Sequence, residues 1–180
     1  MRVLVTAASR HGATHEIAEA IAAGLKRREI DAEARHAEDL ASPDGYDAYV
    51  IGSAVYVGRW LDAARDLVEQ NTAALAGRPV WLFSSGPLGP PEALKPDGDP
   101  VDASALVAAV GAEDHRVLAG RLDRDLLGFG EKAVVLAVRA PEGDFRDWDA
   151  IDGFAADIAG ELLSRSAPGR RGVAPRRGRR

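Results

Sequence analysis

Ser9-Arg10-His11-Gly12-Ala13-Thr14 is a stretch of this 180-residue chain whose residue types could hold an anion. It lies between the apolar run Val3-Leu4-Val5 and a helical pattern beginning at Thr14, so a strand feeds a helix through a short polar turn. A helix start leaves backbone N–H groups without intrahelical partners, and the helix dipole adds positive potential there, so a phosphate is the natural guest. Ser9 and Thr14 can add hydroxyl donors, and Gly12 lets the backbone approach an anion with no Cβ in the way. The turn carries neither the Gly-Lys-Ser/Thr of a nucleoside-triphosphate loop nor the G-x-G-x-x-G of a dinucleotide fold. An ordinary strand–helix connection with Thr14 as N-cap is the competing reading.

Two further stretches have chemical character. Gly52-Ser53-Ala54-Val55-Tyr56-Val57-Gly58-Arg59-Trp60 mixes small residues with two aromatic rings; a flat ligand could stack on Tyr56 or Trp60, or both rings could pack on the following helix. Ser84-Ser85-Gly86-Pro87 follows another apolar run. Other chemistries find little support. Ala7-Ala8-Ser9 and Gly52-Ser53 stand where a phosphoacceptor receiver needs acidic residues, and no G-x-S-x-G elbow marks a hydrolase. His11 and His15 are four apart but no further His follows at ligand spacing, so no metal is assigned; His36 and His115 have no partners in sequence.

The elements that must position these stretches alternate between strands and helices. Ile17, Ile21 and Leu25, with Ala18 and Ala22 beside them, mark an amphipathic helix whose acidic residues come early and basic residues late. A strand is expected over 30–35. Ser42-Pro43-Asp44-Gly45 reads as a turn, and Ala48-Tyr49-Val50-Ile51 as a buried strand stopping at Gly52-Ser53. A helix over 61–75 leads to the buried strand Val80-Trp81-Leu82-Phe83, and a long loop is expected over 86–100. A helix over 102–110, a short strand over 117–119, a helix over 126–139 and a final helix carrying Trp148, Ile151, Phe154, Ile158 and Leu162 complete the pattern. The alternation predicts an α/β fold, a doubly wound five-stranded parallel sheet with helices on both faces. Ligands of such sheets bind beyond the carboxyl ends of the strands, which brings all three stretches to one rim.

Composition narrows the class. A hydrophobic content of 46% suits one globular domain, and no apolar run approaches the roughly 18 residues of a membrane span. Met1-Arg2 leads directly into a strand, so the expected compartment is the cytoplasm. The absence of cysteine excludes disulfides, thiolate chemistry and iron–sulfur clusters. The formal charge of −5 includes seven arginines among the last sixteen residues, so without them −5 becomes −12. An acidic body argues against nucleic-acid binding by the folded part. The expected organisation is a domain over 1–164 and an Arg-rich, disordered tail over 165–180, with contact to an anionic membrane surface as the tail's functional reading.

On these residues the chain resembles the flavodoxin-like proteins. More narrowly, it is similar to the flavodoxin-type menaquinone-dependent protoporphyrinogen oxidases and their flavodoxin-domain relatives, through 9–14, 50–58 and Asp147-Trp148. The resemblance implies an FMN cofactor. Its phosphate would lie on Ser9, Arg10, His11, Gly12, Ala13 and Thr14. One flavin face would be lined by Ala54, Val55, Tyr56, Gly58 and Arg59, and the other by Ser84, Ser85, Gly86, Pro87, Leu88 and Gly89. A peptide carbonyl near Gly58 would meet the reduced N5–H.

The implied function is an FMN-dependent oxidoreductase taking electrons from an organic donor, with protoporphyrinogen as the candidate, and passing them to a quinone. The acidic body would lower the flavin's potential by disfavouring its anionic reduced form. Two alternatives stand beside it: a flavodoxin electron carrier serving a protein partner through its acidic surface, and a non-catalytic flavodoxin-like domain.

Overall fold

The computed structural model describes residues 1–40, 42–56, 58–86, 103–137 and 141–166. Pro87, Leu88, Gly89, most of the loop expected over 86–100 and the tail from 167 onward lie outside the described residues. In chain order the elements are β1 (Arg2–Ala8), α1 (Ala13–Arg27), β2 (Asp31–His36), β3 (Ala48–Tyr56), β4 (Arg59–Trp60), α2 (Asp62–Gln70) and α3 (Thr72–Leu75). They continue with β5 (Val80–Ser85), α4 (Ser104–Val110), β6 (Asp114–Leu118), β7 (Arg121–Leu122), α5 (Phe129–Ala137), β8 (Gly143–Asp144) and α6 (Trp148–Ser166).

Five strands form a parallel sheet in the order β2-β1-β3-β5-β6, as expected of the α/β alternation. β4 folds back antiparallel on the end of β3, and β7 and β8 make a separate two-stranded ribbon. Successive residues of a strand face opposite sides of the sheet, so the apolar runs supply two cores. Val3, Val5, Ala7, Val50, Trp81 and Phe83 face α1 and α6. Leu4, Tyr49, Ile51, Val80 and Leu82 face the other way, packed with Leu67 and Val68 of α2, Leu75 of α3 and Leu106 and Val110 of α4. Both faces are therefore covered, which is why these strands read as continuous apolar runs rather than alternating ones.

Several boundaries differ from the sequence reading. β3 runs through Gly52-Ser53 to Tyr56, because it is paired on both sides, with β1 and β5, and the ladder carries it past a glycine that looks like a stop. Gly52 serves packing: a Cβ there would sit 2.1 Å from the Phe83 ring. The helix expected over 61–75 is divided at Asn71 into α2 and α3. The last sheet strand is Asp114–Leu118 rather than 117–119; an edge strand tolerates the polar run Asp114-His115-Arg116 because only one of its margins is paired. The apolar run near residue 135 is helical, as the neighbouring helix formers predict.

Candidate functional site

β1 delivers its C-terminal end to the turn before α1, and the conformation of that turn is set by Gly12. Its φ of +81° is the left-handed region, and no neighbour lies within 4 Å of where a Cβ would be, so glycine answers the backbone geometry rather than a lack of space. Gly12, not Thr14, is the N-cap. The first intrahelical bond runs from the Glu16 N–H to the Gly12 carbonyl at 3.0 Å, which leaves the preceding amides in the open first turn. The Thr14 N–H donates to Ser9 Oγ at 3.3 Å, tying the two ends of the turn together.

The turn opens on a cavity of about 490 Å³, within the range of small-molecule and cofactor pockets, roughly 300–1,000 Å³. Ser9, Arg10, His11, Ala13 and Thr14 form one wall; Ala54, Val55 and Tyr56 from the end of β3 form a second; Ser85 and Gly86 from the end of β5 form a third. The three stretches singled out in the sequence do converge at the carboxyl rim of the sheet. Gly120 closes the floor beside Gly86; a Cβ on it would approach Gly86 Cα to 3.1 Å.

A fourth wall has no counterpart among the sequence-predicted site residues. It runs from Gly120 through Arg121, Leu122, Asp123, Leu126 and Leu127 to Glu131 and Val135 of α5, with Pro141 beyond. β6 is a parallel strand like the others, so its C-terminal loop reaches the same rim. The shortness of the apolar run at 117–119 hid this wall, although the polar stretch Gly120-Arg121-Leu122-Asp123-Arg124-Asp125 follows it directly; the rule that placed the other loops applies equally to it.

Charge at the cavity is organised by Glu131. Its carboxylate accepts from Arg10 Nη1 at 3.2 Å, lies 3.2 Å from His11 Nε2 through either oxygen, and accepts the Gly128 N–H at 2.9 Å. The Gly128 N–H, then Arg10 and His11, hold its carboxyl below the usual glutamate range against its partial burial. The Arg10 guanidinium also stands 4.6 Å from the centroid of the Tyr56 ring, a cation–π distance. Burial, and secondarily the Glu131 charge, push the Tyr56 phenol upward, so it stays neutral.

Beneath α1, Arg146 is almost fully buried and anchors the β7–β8 ribbon to the turn. It donates to Glu16 at 2.6 Å, to Asp144 at 2.6 Å and to the Ala13 carbonyl at 3.3 Å, and lies over Trp148. Arg121 reaches the same Glu16 at 3.4 Å.

Pro87, Leu88 and Gly89 lie outside the described residues, and the other expected site residues lie off the cavity wall. Gly12 acts through the backbone of the turn; Gly58, at φ +75°, and exposed Arg59 belong to the reversal between β3 and β4. Ser84 is fully buried, its Oγ accepting the Trp60 indole N–H at 2.7 Å and 2.8 Å from His115 Nε2. Trp60 is thereby fixed inside the molecule; of the two rings considered for stacking, only Tyr56 faces the cavity. The histidines without partners in sequence find them in space: His36 stacks on His15 at 3.5 Å between ring centroids, and His115 meets Ser84.

Comparison with known proteins agrees with this architecture. The chain is 24% identical over 172 residues to the protoporphyrinogen IX dehydrogenase (quinone) of Escherichia coli strain K12, covering 88% of this chain and 95% of that protein. Among solved structures, an archaeal flavodoxin superposes with a TM-score of 0.60 at 19% identity, covering 91% of this chain and 99% of its own. The rubredoxin oxygen:oxidoreductase of Desulfovibrio gigas superposes with a TM-score of 0.62 at 11% identity; the chain is covered over 93% of its length but spans only 37% of that protein. The profile of the family described as flavodoxin domain matches residues 4–149, which take in the β1–α1 turn, the end of β3 and all of the fourth wall, and the chain belongs to that family.

Proposed function

We propose that the chain is an FMN-binding oxidoreductase that takes electrons from a small organic molecule and passes them to a quinone, with protoporphyrinogen as the candidate donor. The observation that carries this reading is the convergence of a phosphate-type turn, a single aromatic ring and two glycine-containing loops on one cavity of about 490 Å³. The relation to an E. coli protein named for protoporphyrinogen and quinone supports the choice of donor and acceptor.

The residues present fit such a cofactor. The open first turn of α1, with Gly12 in the left-handed conformation, supplies backbone donors for a phosphate, with the Arg10 guanidinium and the His11 ring beside it. Tyr56 offers one ring face to a planar group, while Gly86 and Gly120 keep the floor low enough for it to lie flat. Leu126, Leu127 and Val135 give the outer wall an apolar surface against which a second organic molecule can rest. FMN, once bound, supplies the hydride and electron chemistry, and the chain supplies placement and exclusion of water.

Anaerobic titration tests the reading. FMN-loaded protein should lose its visible absorption on addition of protoporphyrinogen and regain it with a menaquinone analogue. A preparation that takes up no FMN, or one whose spectrum responds to neither, overturns it. The electron-carrier reading draws on the near-complete overlap with the archaeal flavodoxin. It predicts indifference to both small molecules and salt-dependent exchange with a protein partner.

A further inference from the structure

The two basic side chains of the α1 turn are already committed to an anion. Arg10 and His11 both direct nitrogen atoms at Glu131, each at 3.2 Å, across 121 and 120 residues of chain. All three side chains line the same cavity, so the carboxylate lies where a phosphate on this turn would seek its charge-assisted hydrogen bonds. Glu131 is also the third residue from Gly128, whose N–H it caps, and it begins the stretch of α5 that walls the cavity.

Resting on the FMN reading above, we propose that Glu131 is a built-in competitor for the phosphate: it engages Arg10 and His11 at hydrogen-bond distance and gives them up when the dianion arrives. Two anions cannot share one guanidinium and one imidazole at hydrogen-bond distance without mutual repulsion, so the carboxylate lowers phosphate affinity while it stays. Its departure also removes two of the contacts that hold α5 to the turn. By linkage, phosphate binding and attachment of the α5 wall oppose one another. The charge of one residue on the fourth wall thus sets how firmly the cofactor's anionic end is held, without touching its ring.

Glu131→Gln tests this, because the amide keeps an oxygen to accept the Gly128 N–H while losing the charge. Dissociation constants for FMN and for riboflavin, which lacks the phosphate, are read by quenching of flavin fluorescence. E131Q is expected to bind FMN about tenfold more tightly than the unaltered chain, about 1.4 kcal/mol, and riboflavin with unchanged affinity. Inorganic phosphate alone should accelerate amide hydrogen exchange across 128–137 in the unaltered chain, as α5 loses its tie to the turn. Equal or weaker FMN binding by E131Q overturns the proposal, as does a gain equally large for riboflavin. If neither flavin binds either protein, the FMN reading fails, and phosphate decides the competitor separately: faster exchange supports it and unchanged exchange overturns it.

Discussion

The two ends of α1 sit in opposite surroundings. Toward its C-terminus the helix lies against α6 so closely that a Cβ on Gly24 would come within 2.7 Å of Ala155 Cβ. Arg27 and Arg28 then fasten that contact from outside through Asp152, at 2.6 and 2.9 Å. Its N-terminus opens on the cavity, where Arg10 and His11 also meet a carboxylate, but across a space rather than over packed side chains. The same chemistry, a guanidinium with a carboxylate, therefore does different work. Over a filled core the pair only adds to contacts that already hold, and an exposed pair of that kind contributes about 1 kcal/mol or less. Across a cavity the pair can be exchanged for a ligand, which makes its charge a determinant of binding.

Substitutions should separate the two ends. Phe154 of α6 is almost completely buried in the layer shared with α1, and Phe154→Ala should lower unfolding free energy by about 3–5 kcal/mol, read as a shift in the urea midpoint. Gly52→Ala pushes a methyl group into the Phe83 ring and should cost about 1–3 kcal/mol in the same assay. A neutral result at either position would mean that the packed layers are looser than their geometry implies. At the cavity the pattern should reverse. Tyr56→Leu should weaken FMN binding by roughly 0.5–1.5 kcal/mol, measured by fluorescence titration, while leaving the urea midpoint nearly unchanged. A large loss of stability there would make Tyr56 a core residue and blur the contrast.

The smallest effect concerns pH. Burial, reinforced by stacked His36, holds His15 below its ordinary value of 6.5. The unfolded chain therefore takes up that proton first, and stability falls as pH drops through 6.5 until the folded histidine also titrates. Glu131, through the Gly128 N–H first, and Asp144, through Arg146, are held below 4.5 and 3.8 respectively. Their stabilisation is present above those values and is lost as pH falls below them. Urea midpoints at pH 7.5, 6 and 5 should show the upper decline, and His15→Gln should remove it.

Much of the fold could be read from spacing. The run Val3-Leu4-Val5 reports a strand buried on both faces, and Ile17, Ile21, Leu25 report period four, because their burial depends on local geometry that the chain carries with it. The same holds for Ile151, Phe154, Ile158 and Leu162 of α6. Where neighbours decide, reading failed. Gly52 looks like a strand end until pairing with β1 and β5 and the facing Phe83 ring show why a glycine belongs inside β3. Asp114-His115-Arg116 looks too polar for a sheet until it is seen as the margin.

The candidate site divides in the same way. Ser9 through Thr14 and Ala54 through Tyr56 could be recognised because each is a short run whose composition suits its place after a strand. That Trp60 turns inward to Ser84 while Tyr56 faces the cavity follows from the antiparallel return of β4, which no periodicity encodes. Glu131 had nothing to distinguish it from any helix-forming glutamate. The amino-acid sequence by itself determined the α/β alternation, the apolar faces and the turn before α1, since these depend on residues within a few positions of one another. Only the tertiary structure brought Glu131 to Arg10 and His11 and made the loop after β6 a wall of the cavity. Contacts across some 120 residues are set by how the whole sheet is wound.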